Sequence, residues 1–291
     1  MKIKANGIEI EYETFGDKGH PALLLIMGLG AQLTLWPDAL CEKLVAEGFY
    51  VIRYDNRDVG LSTKLEAAGP PDMPAIFAGT TKPAYTLDDM AADAAALMDA
   101  LGIKKAHIVG ASRGGMIAQL VAINHPEKTL SLTSIMSTTG NPAVPPASAE
   151  VMAALTTRLP PDTPMDVMIE HGVKTLTVIG SPAHDYGSPE ERARLRRGIE
   201  RSTYPEGFVR QMAAIVANGD RRERLKSVTA PTMVIHGDID PLVNVAGGKD
   251  TAASISGAEL LLIPGMGHDL PPFVLDPVVD AVVAVAGRAG S

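Results

Sequence analysis

The chain has 291 residues, with 26 lysines and arginines against 34 aspartates and glutamates, for a formal charge of −8. Hydrophobic residues make up 46% and charged residues 21%, which supports a large core and excludes a disordered, collagenous or disulfide-framework chain. The single cysteine, Cys41, excludes an internal disulfide and a cysteine-rich zinc site, so a reducing, cytoplasmic compartment is expected.

Ile8-Glu9-Ile10-Glu11-Tyr12 alternates apolar and polar residues and predicts a half-exposed strand, followed by a turn at Gly16, Gly19 and Pro21. Ala22–Met27 is a continuous apolar run, the pattern of a strand covered on both faces. Pro37 opens a helix over Asp38–Glu47 that Gly48 stops, and Tyr50–Tyr54 predicts the next strand. Residues 66–84, rich in Pro, Gly and Ala, read as a loop. Thr86 is an N-cap, with Asp88 and Asp89 favouring the positive end of a helix that runs to Leu101. Ala106–Val109 is a buried strand that enters a helix ending near His125-Pro126, and Leu130–Met136 is another strand.

From about Gly140 to Arg224 the pattern changes to helical segments broken by prolines from Pro142 to Pro205, Pro161 among them, with no convincing buried strand. Strands resume at Pro231–Gly237 and Leu260–Ile263, and Val278–Val285 is a final helix. Strands alternating with helices imply an α/β fold, a mostly parallel sheet flanked by helices on both faces. Right-handed crossovers bring the strand carboxyl ends to one edge, where ligand sites form. The expected organisation is a core of residues 1–139 and 225–291 with an inserted helical cap, or lid, at 140–224.

Apolar runs such as Ala22–Met27 fall far short of the ~18 residues of a membrane helix, and Met1–Gly7 lacks the apolar stretch of a secretory signal. The acidic balance argues against nucleic acid and anionic membrane as partners. The one basic cluster, Arg192, Arg194, Arg196, Arg197 and Arg201 after Glu190 and Glu191, reads as a solvated helix face.

The sharpest chemical signal is Gly110-Ala111-Ser112-Arg113-Gly114, set between a buried strand and a helix. A turn that tight strains the serine backbone and leaves room only for small residues two positions away, while it lifts the hydroxyl clear at a helix start. A serine hydroxyl needs a base, and the base an orienting acid. His268, flanked by Gly265 and Gly267, follows one predicted strand, and Asp238 and Asp240 follow another, so all lie on the edge that carries Ser112. Asp240, beyond the turn and before Pro241, is favoured as the acid, and Asp238 is expected to hold local backbone amides. His107 and His236, at strand ends, are expected to be packed or partnered structurally. Negative charge developing on a substrate oxygen needs two fixed donors: the backbone N–H of Arg113 and that of Leu29, in Met27-Gly28-Leu29-Gly30. That loop is no dinucleotide fingerprint, since position 33 is Leu33, and no Walker-type sequence is present.

With Met27–Gln32, Asp55–Ser62, the serine turn and Gly265-Met266-Gly267-His268 in place, the chain resembles the α/β-hydrolase superfamily over nearly its whole length. Within it these motifs look like a bacterial carboxylesterase branch that includes the aclacinomycin methylesterase type. The resemblance implies ester hydrolysis through an acyl-enzyme, with no cofactor and no metal, and by motif match it carries Ser112, Asp240 and His268 over as the catalytic triad. It makes Arg57 and Asp58 scaffold rather than chemistry. Two departures stand out. Met27-Gly28 replaces the common His-Gly, and Arg113 follows the nucleophile where Met or Gln is usual. A buried guanidinium demands a partner, so either a nearby carboxylate is expected or the position has been altered.

The expected partner is a small-molecule ester of short-chain or methyl type. Met152, Met165, Met168 and Met212 are candidates to line an adaptable apolar pocket, and Trp36 either flanks it or packs in the core. The same triad would serve a cofactor-free perhydrolase or a carbon–carbon bond hydrolase, and a non-enzymatic small-ligand receptor on this fold is the remaining alternative.

Overall fold

A computed structural model describes residues 1–160 and 162–289; Pro161 lies outside the described residues. In chain order the elements are β1 (Lys2–Ala5), β2 (Ile8–Phe15), β3 (Ala22–Ile26), α1 (Asp38–Ala46), β4 (Tyr50–Tyr54), α2 (Met73–Phe77), α3 (Leu87–Ala100), β5 (Ala106–Ala111), α4 (Arg113–Asn124) and β6 (Thr129–Ile135). Four helices follow without an intervening strand: α5 (Ala149–Thr156), α6 (Met165–Ile179), α7 (Pro189–Arg201) and α8 (Pro205–Asn218). The chain then returns through α9 (Arg222–Leu225), β7 (Thr232–Gly237), α10 (Val245–Ser254), β8 (Glu259–Ile263) and α11 (Pro272–Ala286).

The strands form one 8-stranded sheet in the order β1-β2-β4-β3-β5-β6-β7-β8. β2 pairs antiparallel with β1 and β4, and the pairs from β4 to β8 are parallel. Alternation along β3 explains its unbroken apolar run. Leu24 and Ile26 face a core shared with α3 and α4, whereas Leu23 and Leu25 face one shared with α1 and α11. β4 has the predicted bounds, and Thr86 caps α3: its hydroxyl accepts the Asp89 N–H while the Asp89 carboxylate accepts the Thr86 N–H.

Two expectations need correction, and one strand is new. The segment 66–84 is not all loop, because Asp72 accepts the Ala75 N–H and starts the short α2. α11 starts at Pro272 rather than Val278, since Pro272 suits a first turn and Pro277 forgoes only one backbone bond. β1 is an additional edge strand, paired with β2 from Lys2↔Glu11 to Ala5↔Ile8.

The loop after β4 is fastened by buried ion pairs. Arg57 Nε and Nη2 each donate to Asp93 on α3 at 2.6 Å, and Arg210 on α8 donates to Asp58 through Nε at 2.8 Å. Both Arg57 and Asp58 thus brace the scaffold. Replacement of one partner in a buried pair leaves the other charge without solvent or counter-ion. Asp93→Ala should therefore lower the unfolding free energy by about 3–5 kcal/mol, against about 1 kcal/mol for the exposed cap variant Thr86→Ala, as read by denaturant titration.

Candidate active site

β5 ends at Ala111 and α4 begins at Arg113, so Ser112 alone makes the turn between them, at φ 57° and ψ −123°. A non-glycine residue held there stores roughly 1–3 kcal/mol of strain. The neighbouring glycines permit it: a Cβ on Gly110 would lie 2.1 Å from the Gly114 carbonyl oxygen, and one on Gly114 2.0 Å from that of Ile26. The Ser112 N–H donates to the Ile135 carbonyl at 2.8 Å, which ties the turn to β6.

The loops after β7 and β8 bring the other two groups to this edge. His268 Nε2 lies 2.8 Å from Ser112 Oγ, and its Nδ1 lies 2.8 Å from Asp240 Oδ2. In the neutral tautomer that fits both contacts, the serine hydroxyl donates to Nε2 and the Nδ1–H donates to the carboxylate. Asp240 Oδ1 accepts the N–H groups of Leu242 at 2.9 Å and Val243 at 2.8 Å. Burial alone would raise the Asp240 carboxyl. Attraction to the imidazolium form of His268 and hydrogen bonds from His236, His268 and Val243 outweigh burial and hold it well below the usual carboxylate range.

Asp238, His236 and His107, near other strand ends, each have a structural partner. Asp238 accepts the Gly265 N–H at 2.7 Å, bracing the loop before His268. His236 Nε2 donates to the Val243 carbonyl at 2.8 Å, and His107 Nδ1 pairs with Ser131 Oγ at 2.8 Å, where burial pushes its ring down to about 4. Among the described residues no three His, Cys, Asp or Glu side chains converge as a metal site, and no helix is long and apolar enough to cross a membrane.

The N–H groups of Leu29 and Arg113 donate to no protein acceptor among the described residues, and both residues line the cavity beside Ser112. The Leu29 loop is held on either side. Asn56 Nδ2 donates to the Met27 carbonyl at 3.1 Å, and the Gly30 N–H donates to Gln211 Oε1 on α8 at 2.9 Å. The Arg113 guanidinium is buried, but its partner is not the expected carboxylate. Nη2 donates to the Gly28 carbonyl at 2.8 Å, Nη1 contacts Met90 Sδ at 3.3 Å, and Nε has no partner. A loop carbonyl within reach stands where a counter-ion was expected.

Ser112 and His268 open into a cavity of about 500 Å³, roofed in part by the helices between β6 and β7. Met152 and Met212 border it as expected; Met165 and Met168 do not, and Trp36 is fully buried in the core on the α1 side. The walls are chiefly apolar, with one polar lobe of His184, Tyr186, Glu191 and Arg194. None of these four was a candidate site residue from the sequence, and Glu191 and Arg194 read there as part of a solvated helix face. The basic cluster is also not a solvated face throughout: Arg194 pairs with Glu191 at 2.6 Å at the cavity wall, and Arg201 reaches Asp55 at 2.7 Å and Gln32 at 2.6 Å.

The roof also grips the loop that carries His268. The His268 N–H donates to the Ile179 carbonyl at 2.8 Å, the Gly267 N–H donates to Ser181 Oγ at 2.9 Å, and Asp269 accepts from both Ser181, at 2.6 Å, and Tyr186.

The depressed Asp240 carboxyl links the site to stability. A group whose folded value lies below its unfolded one stabilises the fold fully above the unfolded value, and that contribution is lost as pH falls toward the folded value. Its share should therefore vanish as pH drops below the ordinary 3.8. Urea titrations in that acid range should show a shallower loss of stability for Asp240→Asn than for the parent protein; parallel slopes would contradict the assignment.

A family model for the α/β-hydrolase fold matches residues 21–163. The chain is 31% identical over 290 residues to rhodomycin D methylesterase DnrP of Streptomyces peucetius, covering 94% of this chain and 93% of that one. It is 26% identical to 3-oxoadipate enol-lactonase 2 of Acinetobacter baylyi, covering 97% and 95% of the two chains. In structure it superposes on the enol-lactonase of Burkholderia xenovorans with a TM-score of 0.77 at 23% identity, over 99% of this chain and 100% of the other. Together with the sheet order and the strained serine turn, these likenesses place the chain in the α/β-hydrolase family.

Proposed function

We propose that the protein is a serine carboxylic ester hydrolase that works through an acyl-enzyme on short-chain or methyl esters of small to medium apolar or aromatic acids. The observation that carries this reading is the unbroken relay from Ser112 through His268 to Asp240, with Ser112 open to an apolar cavity. Ser112, Asp240 and His268 are the catalytic residues of the proposal, the N–H groups of Leu29 and Arg113 form the oxyanion hole, and residues 140–224 act as a lid on the core.

His268 Nε2 removes the Ser112 hydroxyl proton as the oxygen attacks the ester carbonyl. The carbonyl oxygen, now negative, lies between the two unspent N–H groups, which need no rearrangement to receive it. Asp240 fixes the ring tautomer and stabilises the imidazolium. His268 then gives its proton to the departing alkoxide. A water enters, loses a proton to Nε2 and attacks the acyl carbonyl; the bond to Ser112 Oγ then breaks, Nε2 returns the proton to that oxygen, and the free acid leaves with serine and neutral histidine restored.

A cavity of about 500 Å³ with chiefly apolar walls suits an acid larger than acetate. The methylesterase name of a relative that spans nearly the whole chain supports methanol as the alcohol released. The perhydrolase and carbon–carbon hydrolase readings use the same relay, and no residue of the cavity favours either.

Two measurements test the proposal. Ser112→Ala should lower kcat on p-nitrophenyl esters by about 10⁶ and Asp240→Asn by about 10⁴. Robust hydrolysis by the Ser112 variant would refute the nucleophile. Across p-nitrophenyl esters of increasing chain length and methyl esters of bulky aromatic acids, kcat/KM should be highest for acids that fill the cavity, and an acetate optimum would contradict the assigned substrate class.

A further inference from the structure

The mechanism above uses only the backbone N–H of Arg113 and leaves its side chain without a task. That side chain is 1% exposed, and its strongest contact is with the Gly28 carbonyl, at 2.8 Å. Gly28 C=O and Leu29 N–H belong to one planar peptide, so whatever fixes the oxygen also fixes the direction of the N–H. We propose that Arg113 is a positioning residue for the oxyanion hole, its guanidinium orienting and polarising the Gly28–Leu29 peptide so that the Leu29 N–H faces the substrate oxygen. The inference rests on the ester-hydrolase reading and deepens it.

The peptide needs an external hold. Gly28 has no side chain to restrict rotation about its ψ, and the other donor to its carbonyl, the Ala31 N–H, is distant at 3.4 Å. The side chain before this glycine, Met27, carries no hydrogen-bond donor. A charged donor bonds a carbonyl roughly twice as strongly as a neutral one, and withdrawal of electron density at the oxygen makes the N–H of the same peptide a better donor.

The charge itself persists. Burial pushes the guanidinium down to about 10, which still leaves it protonated at neutral pH. Its partners are carbonyls and a thioether rather than a carboxylate, so its field is not cancelled by a counter-ion in contact. In a site with little water that field favours the negative transition state over the neutral ester. Desolvation without an ion-pair partner is costly, and a packed apolar residue would be the more stable choice. One residue thus serves both halves of the anion site, with its own N–H as one donor and its side chain setting the other.

The test compares the full-length parent protein with Arg113→Met, Arg113→Gln and Arg113→Lys. It reads steady-state hydrolysis of p-nitrophenyl butyrate, the rate of Ser112 modification by an alkyl fluorophosphonate followed by mass spectrometry, and Tm. Complete removal of an oxyanion donor costs about 10²–10³, so misorientation of one in Arg113→Met should lower kcat about tenfold. KM should stay within twofold and fluorophosphonate labelling should slow in proportion. Lysine should restore most of the rate and glutamine less, whatever the order of their Tm values. The inference is overturned if Arg113→Met keeps both rates within twofold of the parent, or if rates across the series follow Tm rather than donor charge. Should Arg113→Met not fold, the glutamine and lysine variants decide by the same ordering. A parent protein that neither hydrolyses the ester nor reacts at Ser112 would defeat the ester-hydrolase reading and this inference with it, whereas an active parent with an unaffected variant defeats the inference alone.

Discussion

At Ser112 the backbone passes from a buried strand into a helix within one residue, and the rest of the site hangs on that close turn. A Cβ on Gly114 would collide with the Ile26 carbonyl, so α4 lies directly against the end of β3. The loop that leaves β3 carries Gly28 and Leu29, which places a backbone donor beside the Ser112 side chain. The same approach that strains the serine therefore also brings near it the N–H proposed for the oxyanion hole. Parallel pairing of β5, β6, β7 and β8 then aligns the strand ends from which Asp240 and His268 are suspended.

Much of this was legible because it follows from strand ends. Parallel strands buried on both faces read as short, largely apolar runs: Ala22–Ile26 is unbroken, Tyr50–Tyr54 is interrupted by Arg53, and Thr232–Gly237 holds Met233, Val234 and Ile235 at its centre. Once the strands are placed, loops after them share an edge, and the serine, acid and histidine follow by chemistry. β1 escaped notice because four residues, two of them lysines, give too little alternation to distinguish from a charged terminus. The cavity's polar lobe had no local signal either. Glu191 and Arg194 carry the pattern of an exposed helix, and only the packing of α7 over the sheet edge turns them inward. The partner of Arg113 was illegible for a similar reason: a backbone carbonyl is present at every residue, so sequence cannot announce which one a guanidinium will find.

The acidic loop after β4 joins the parts. Asp55 accepts the N–H groups of Leu33 and Leu61, each at 2.7 Å, and receives Arg201 from the end of α7. Asp58 receives Arg210 and the Leu65 N–H, and Gln211 donates to the Arg57 carbonyl at 2.7 Å. These contacts are buried or partly buried, all but the Gln211 bond are charge-assisted, and they bind the helices between β6 and β7 to the loop that holds Leu29. Carboxylates that contribute to a formal charge of −8 are matched here by arginines from distant parts of the chain, so they cement the fold rather than repel a ligand.

The grip of Ile179, Ser181 and Tyr186 on the segment from Gly267 to Asp269 means that the roof is not an accessory laid over a finished catalyst. Grafting foreign helices onto this body would sever the tether of the segment that carries His268. Specificity and chemical competence are in that sense inherited together, and divergence in the first is constrained by upkeep of the second.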